Sequence, residues 1–137
     1  MAGEFPSEEW LKDLIDYLNT DEEYAKTASK WEGDLIFDIQ PEGALKKHIR
    51  IYLDLWHGKC RGGQFIPEGE EKNAKFILNA PYGNFVKILK GELDAMQAMM
   101  TRKLKVKGNM AYMMRNVPTV LKFVSCAQES TVSVLGE

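Results

Sequence analysis

The sequence has few of the residues that build metal centres and covalent catalytic sites. It contains two cysteines and two histidines in 137 residues. Cys60 and Cys126 form no CxxC pair, and their spacing from His48 and His57 fits no zinc motif. We therefore predict no metal, no cofactor and two reduced, partly buried thiols in an intracellular protein.

Long apolar runs and a strong charge imbalance are also missing. No apolar stretch approaches the roughly 18 residues that a membrane-spanning helix requires. The acidic start MAGEFPSEEW differs from a signal peptide, and the last residues VLGE are not a peroxisomal tripeptide. The formal net charge of -2 argues against a dedicated nucleic-acid binder. We expect a cytoplasmic protein.

Sequence motifs of the common nucleotide-binding and hydrolytic enzymes are absent. The chain contains no GxGxxG, Walker loop, HExxH or GxSxG. A Cys-His pair can act as a nucleophile, but a strand period of two places Asp54 and His57 on opposite faces, and His57 and Cys60 flank a predicted turn. We therefore predict a surface turn and no enzyme. Three further polar residues are predicted to face solvent without a catalytic partner: Asp34, Asp38 and His48.

The length and composition suit one folded domain. Hydrophobic residues make up 45% and charged residues 28% of the chain, which permits a core without disulfide or metal support. We predict a single domain, 1–137, with N-terminal helices in 1–33, a sheet and its covering helices in 34–127, and a tail in 128–137.

Apolar spacing predicts two helices at the start of the chain. In PSEEWLKDLIDYLN apolar residues recur every three to four positions, and Ser7 is a suitable cap. Thr20 and Glu23 have the spacing of a capping box, which predicts the start of the second helix. Gly33 ends it.

From residue 34 the period becomes two, which is typical of strands. DLIFDIQ, HIRIYLDLW, CRGGQFI and AKFILNA predict four strands, and RKLKVKG predicts a fifth after two short helices. Turns between successive strands imply a mostly antiparallel sheet, and alternation implies one buried face. We predict an α+β fold of two layers.

The last helix is predicted from Asn109 to about Cys126, with an interruption at Pro118. Six methionines lie on the helices that flank the fifth strand: Met96, Met99, Met100, Met110, Met113 and Met114. Methionine is unbranched and adapts to partners of varying shape. Core packing and a ligand-contacting wall both explain such a stripe, and the two are compatible. The basic residues of TRKLKVK are interpreted as a solvated sheet face, or alternatively as an attraction for anionic lipid headgroups.

The stretch GELDAMQAMMTRKLKVKGNMAYMM resembles the C-terminal signature of the sterol carrier protein sterol-binding domain family, also called the nonspecific lipid-transfer protein family. Seven residues carry the match: Lys103, Leu104, Lys105, Val106, Gly108, Asn109 and Met110. Upstream strands also fit, so the resemblance covers about 34–116. Arg102 and Ala111 stand where the family often has glycine.

The resemblance implies a five-stranded, mostly antiparallel sheet with helices on one face and an apolar tunnel between the layers. It also implies a last helix that lifts at the tunnel mouth to admit lipid. The implied ligand is a fatty acid, a fatty acyl-CoA, a sterol or another lipid. We predict that the wall of the tunnel includes Phe76, Leu78, Phe85, Leu89, Met96, Met100, Leu104, Met110, Met113, Met114, Val117 and Leu121.

Binding, with or without transfer, of a hydrophobic ligand is thus the first functional prediction, with transient contact to a membrane surface and no nucleic-acid partner. An accessory or oligomerisation domain that uses the same groove for a partner protein or a homodimer is the alternative. An enzyme acting on a hydrophobic substrate is a third interpretation, for which the sequence offers no visible catalytic set.

Overall fold

Helices frame a run of strands along the chain. The computed structural model describes residues 3–137, so the first two residues of the predicted domain lie outside the described part. Its strands are β1 (Glu4–Phe5), β2 (Leu35–Gln40), β3 (Ile49–Trp56), β4 (Lys59–Phe65), β5 (Phe76–Pro81), β6 (Lys105–Lys107) and β7 (Ser133–Val134). Its helices are α1 (Glu8–Thr20), α2 (Glu22–Thr27), α3 (Tyr82–Leu89), α4 (Ala95–Met100), α5 (Met110–Arg115) and α6 (Val117–Glu129).

Five strands form one sheet in the order β4-β3-β2-β5-β6. The pairs β2–β3, β3–β4 and β5–β6 are antiparallel, whereas β2 and β5 are parallel. The predicted α+β class and mostly antiparallel sheet are therefore confirmed, with one parallel pair that turn signals alone do not specify.

The strand register aligns the apolar residues on one face. Phe37 of β2 lies opposite Ile51 and Leu78, and Leu35 lies opposite Phe76. All five side chains are buried. The predicted alternation thus places a continuous apolar surface beneath the helices.

The first helix begins as predicted, but the second does not. The Ser7 hydroxyl oxygen accepts the backbone N–H of Trp10 at 3.1 Å, which satisfies a free donor at the start of α1. The capping box expected from Thr20 and Glu23 is wrong. Asp21 caps α2 by accepting the N–H of Tyr24 at 3.1 Å, while Thr20 is the last residue of α1.

The last helical stretch is two helices. Asn116 has φ -122° and ψ 33° and separates α5 from α6, and its N–H donates to the Met113 carbonyl at 3.0 Å. Pro118 lies in the first turn of α6, where its missing N–H breaks no helical hydrogen bond. The predicted interruption is confirmed, and the helix ends at Glu129 instead of near Cys126.

The two ends of the chain meet in a second, two-stranded sheet. β1 pairs in parallel with β7, and the Tyr82 hydroxyl donates to the Leu135 carbonyl at 2.8 Å. The segment predicted as a tail therefore contributes a strand to this second sheet. The segment 128–137 begins inside α6 and then holds the N-terminal strand in place.

Candidate functional site

A cavity of about 70 Å³ lies between the sheet and the helices. Inward-facing strand residues form its floor, namely Leu35, Phe37, Leu55 and Leu78. The remaining lining comes from β1, from two connecting segments and from all six described helices: Phe5, Trp10, Tyr24, Trp31, Phe85, Ile88, Leu89, Ala95, Met99, Leu104, Met113, Thr119, Val120, Phe123, Val124 and Ala127. The arrangement is that of an apolar chamber between two layers.

Polar side-chain atoms of the lining residues Trp31 and Thr119 are hydrogen-bonded to backbone carbonyls. The Trp31 indole N–H donates to the Gly33 carbonyl at 2.8 Å, and the Thr119 hydroxyl donates to the Thr27 carbonyl at 3.1 Å. Burial raises the pKa of the Tyr24 hydroxyl, because the charged tyrosinate would lose its hydration there. The chamber therefore favours an apolar guest.

Aromatic rings pack around the floor of the cavity. The Phe37 ring centroid lies 5.8 Å from that of Phe85, 6.0 Å from that of Phe123 and 6.4 Å from that of Trp10. These contacts join β2 to α1, α3 and α6. The aromatic contacts hold the floor of the cavity against these three helices.

Five of the twelve predicted wall residues line the cavity: Leu78, Phe85, Leu89, Leu104 and Met113. They come from a strand, two helices and the segment before β6. Met99, which the sequence places on the same methionine stripe, also lines it.

The other seven lie elsewhere. Phe76 is fully buried against Trp31 and Tyr112 beside the cavity, and Met96 and Val117 are half-buried. Four are exposed to solvent: Met100, Met110, Met114 and Leu121. The wall residues predicted on the last helix are thus divided between the cavity and the surface.

Sequence reasoning missed the contribution of the N-terminal region. Phe5, Trp10, Tyr24 and Trp31 line the cavity, although they precede the part of the chain that carries the resemblance. The apolar period of α1 signals that Trp10 is buried. For Phe5 the only signal is its aromatic type, because its position depends on the pairing of β1 with β7.

Helix α5 closes one end of the cavity with few attachments. Met113 is its buried residue. The neighbouring Tyr112 accepts the N–H of Glu32 at 2.9 Å, its ring lies 5.2 Å from that of Trp31, and the Lys75 ammonium lies 4.0 Å from the ring centroid. A helix of six residues depends on such tertiary contacts for its position.

Polar groups on the outside form ion pairs and hydrogen bonds without approaching the cavity. His57 pairs with Glu32 at 2.6 Å, while the Cys60 thiol contacts the Gly62 carbonyl at 3.4 Å, so imidazole and thiol do not pair. The expectation that Asp38 and His48 lack a partner is wrong, because these two side chains contact each other. Asp34 accepts the Tyr52 hydroxyl at 2.7 Å.

Within residues 3–137, no group of three or more His, Cys, Asp or Glu side chains is placed to hold a metal ion. In the same part of the chain, no helix combines the length and hydropathy needed to cross a bilayer.

Solved structures share this architecture. A crystal structure of sterol carrier protein 2 has 32% sequence identity and a TM-score of 0.84, with 92% of this chain and 98% of that chain covered. A conserved hypothetical protein of Thermus thermophilus, described as possibly a sterol carrier protein, has 31% identity and a TM-score of 0.83, with 96% and 93% covered. Sterol carrier protein 2 of Yarrowia lipolytica shares the fold at 22% identity and a TM-score of 0.58, with 93% and 96% covered.

No curated protein matches the sequence. The family model described as the SCP-2 sterol transfer family matches residues 11–120. This match includes most of α1 and all of α2, and therefore extends beyond the stretch 34–116 that carries the resemblance in the sequence. Together with the two structures above 30% identity, it shows that the chain belongs to the SCP-2 sterol transfer family, a family of lipid-binding and lipid-transfer proteins.

Proposed function

We propose that this protein carries a single hydrophobic molecule in the cavity between its sheet and its helices, by sequestration and without bond-making. The observation that supports it is the apolar cavity between the two layers, with the short helix α5 at one end. The chemical class of guest is a long acyl chain or another elongated lipid: a fatty acid, a fatty acyl-CoA or a sterol.

The energetics of an apolar guest favour this function. Each buried methylene contributes about 0.8 kcal/mol, so a long chain binds at micromolar levels or better after the cost of association, without a specific polar contact. The absence of directed polar groups on the lining fits a carrier that accepts several lipids.

The cavity must enlarge to hold such a guest. Its volume of about 70 Å³ is well below the roughly 300–1,000 Å³ of ordinary ligand pockets. Met99 and Met113 line it at the α4 and α5 end, and methionine side chains change rotamer readily. We infer that the guest displaces these two side chains and that α5 moves away from the sheet as it enters.

The alternative of a protein-binding groove has less support. The exposed apolar residues that would meet a partner protein on α5 and α6, Met110, Met114 and Leu121, do not line the cavity. A location in the cytoplasm and the absence of an enzymatic role stay predictions.

Mass spectrometry of an organic extract, together with the native mass of the purified protein, is the direct test. A lipid at one molecule per chain would establish carriage and identify a guest. A protein that is empty as purified, and that takes up no fatty acid, acyl-CoA or sterol, would contradict the proposal and favour the partner-binding alternative.

A substitution that fills the cavity tests whether the guest binds there. Met113→Trp places a larger side chain in the lining, and we expect uptake of a fluorescent fatty acid to fall about tenfold or more, because the chain loses one or two methylene contacts and the space for others. Met100→Trp is the matched control, since Met100 is 77% exposed on the neighbouring α4. Equal affinities for the two variants would place the guest elsewhere.

A further inference from the structure

The N-terminal strand β1 brings an aromatic ring to the cavity. Phe5 lines the cavity and is 1% exposed. Its ring packs edge-on to that of Trp10, with 4.7 Å between centroids, and stacks on that of Tyr82 at 6.0 Å. The Phe85 ring lies 6.4 Å from the Phe5 ring. All of these rings are buried, and together they form one end of the cavity.

The C-terminal strand β7 holds the backbone of Phe5. β1 pairs with β7 so that Phe5 lies opposite Val134, and the Phe5 carbonyl accepts the N–H of Leu135 at 2.9 Å. Both strands lie outside residues 11–120, which match the family model. The family match therefore does not specify this end of the cavity, and the position of the ring depends on pairing between β1 and β7.

The Phe5 end and the α5 end of the cavity lie at opposite ends of β5. Phe76, the first residue of β5, stacks on Tyr112 of α5 with 6.1 Å between ring centroids. Tyr82, which directly follows β5, stacks on Phe5. A strand rises about 3.3 Å per residue, so about 20 Å separates Phe76 from Tyr82. One acyl chain spans about 15 Å of a bilayer, half of its hydrocarbon core, so the distance suits a single extended chain.

The two ends differ in how far their side chains can adapt. Met99 and Met113 line the cavity at the α4 and α5 end, and methionine side chains change rotamer readily. At the other end, the Phe5 ring packs against three aromatic rings and its backbone is paired with β7. A guest therefore gains space at the methionines and meets a fixed surface at Phe5.

The polar atoms beside Phe5 already have partners. The Trp10 indole N–H donates to the Thr131 hydroxyl oxygen at 2.8 Å, and the Tyr82 hydroxyl donates to the Leu135 carbonyl at 2.8 Å. A charged headgroup would lose its hydration there without a compensating hydrogen bond. This end of the cavity therefore suits the terminal methyl group of an acyl chain, with the headgroup at the α5 end.

We propose that Phe5 is the end stop of the cavity and sets the length of the longest acyl chain that binds fully inside. The inference rests on the proposed lipid carriage and adds a length limit to it. The guest enters at the α5 end, and its terminal methyl group meets the Phe5 ring. Each buried methylene strengthens binding about fourfold, whereas a methylene beyond this limit stays in water and adds nothing.

The experiment is displacement of a bound fluorescent fatty acid from the full chain by saturated fatty acids of increasing length. For the unmodified protein, affinity should rise with each methylene and then level off at a limiting length. Phe5→Ala removes the ring, and the space left behind admits about three further methylenes. The limiting length should increase by that amount, and the longest acids should bind about tenfold or more tightly than to the unmodified protein.

A second variant and a matched control accompany Phe5→Ala. Phe5→Leu keeps an apolar side chain in place with less disturbance of the fold, and should increase the limiting length by about one methylene. Phe65→Ala removes a ring of β4 that packs against the core but does not line the cavity, so it should leave the limiting length unchanged. Circular dichroism checks that all variants are folded.

Two outcomes would overturn the end stop. The first is a limiting length that is the same in the unmodified protein and in the folded Phe5 variants. The second is an equal increase in Phe65→Ala, which would assign the effect to a general loosening of the core. An unmodified protein that binds no acid of any length would instead contradict carriage itself, so the two failures are distinguishable.

Discussion

At Gly108 the backbone has φ +143°, and a Cβ built there would lie 2.5 Å from the Lys75 carbonyl oxygen and 2.6 Å from Cδ1 of Phe76. Both distances are shorter than a carbon atom permits. Asn109 then caps α5 by accepting the N–H of Tyr112 at 3.0 Å. The Gly-Asn pair therefore lets β6 pass close to β5 and begins α5 directly above the sheet.

A substitution of Gly108 should destabilise the folded protein. We expect Gly108→Ala to lower the free energy of unfolding by about 3 kcal/mol or more, from the left-handed backbone and the steric overlap together. Gly91→Ala is the control: its φ is +78° and no atom lies within 4 Å of the added Cβ, so it should cost about 1–2 kcal/mol. Urea unfolding of both variants measures the difference, and equal losses would show that the close approach to Phe76 is unimportant.

Helix α5 is the element on which access to the cavity depends. It has six residues, one of them buried, and a helix of this length is unstable without tertiary contacts. Its position is set by Tyr112, which contacts Trp31, Phe76 and Lys75 with its ring and Glu32 with its hydroxyl. Tyr112 thus anchors α5 to the rest of the protein, and the adjacent Met113 closes the cavity.

Removing the anchor should loosen the helix without unfolding the protein. Tyr112→Ala loses aromatic contacts and one hydrogen bond, about 2–4 kcal/mol in all. We expect hydrogen exchange of the α5 amides to accelerate at least tenfold, and fatty-acid uptake to become faster. Tyr112→Phe keeps the ring and should lose only about 1 kcal/mol. Unchanged exchange in Tyr112→Ala would show that another contact holds α5.

Over the whole molecule, the buried ionisable groups are acids kept neutral by the core. Burial raises the pKa of Cys126 to about 12, with a further contribution from the Asp21 carboxylate. Burial likewise raises the pKa of Tyr82 to about 12 and also raises the pKa values of Tyr24 and Cys60. These groups release protons on unfolding once the pH exceeds their ordinary values of 9.0 for cysteine and 10.0 for tyrosine.

Stability should therefore decline in alkali. Above about pH 9 the unfolded chain binds fewer protons than the folded one, so the free energy of unfolding falls as the pH rises through the raised pKa values. We expect a loss on the order of 2 kcal/mol between pH 8 and about pH 10.5. Urea midpoints across this range measure it. Tyr24→Phe should reduce the slope, and a flat profile would contradict the prediction.

Much of the fold is readable from local patterns. The period of two in DLIFDIQ and IRIYLDL reports strands with one apolar face, and Ser7 and Pro118 mark helix boundaries by their own chemistry. The pairing of β2 with β5 could not be predicted from such local patterns. It joins segments about forty residues apart, Leu35 opposite Phe76, and no turn residue specifies it.

The candidate site, like the fold, could be predicted only in part from local sequence patterns. Composition and spacing alone place an adaptable set of methionines around the fifth strand, because side-chain chemistry and helical period are local properties. They do not decide which methionine faces inward. Met113 lines the cavity and Met114 faces solvent because Tyr112 is fixed to Glu32, 80 residues earlier in the chain.

The sequence by itself therefore determined an α+β chain with one apolar layer and a flexible apolar segment near its C-terminal end. Only the tertiary structure decided that Phe5 and the N-terminal helices help to line the cavity, and that Met110, Met114 and Leu121 are exposed. The physical reason is that burial at these positions comes from contacts between distant segments, and local period reports only which residues share a face.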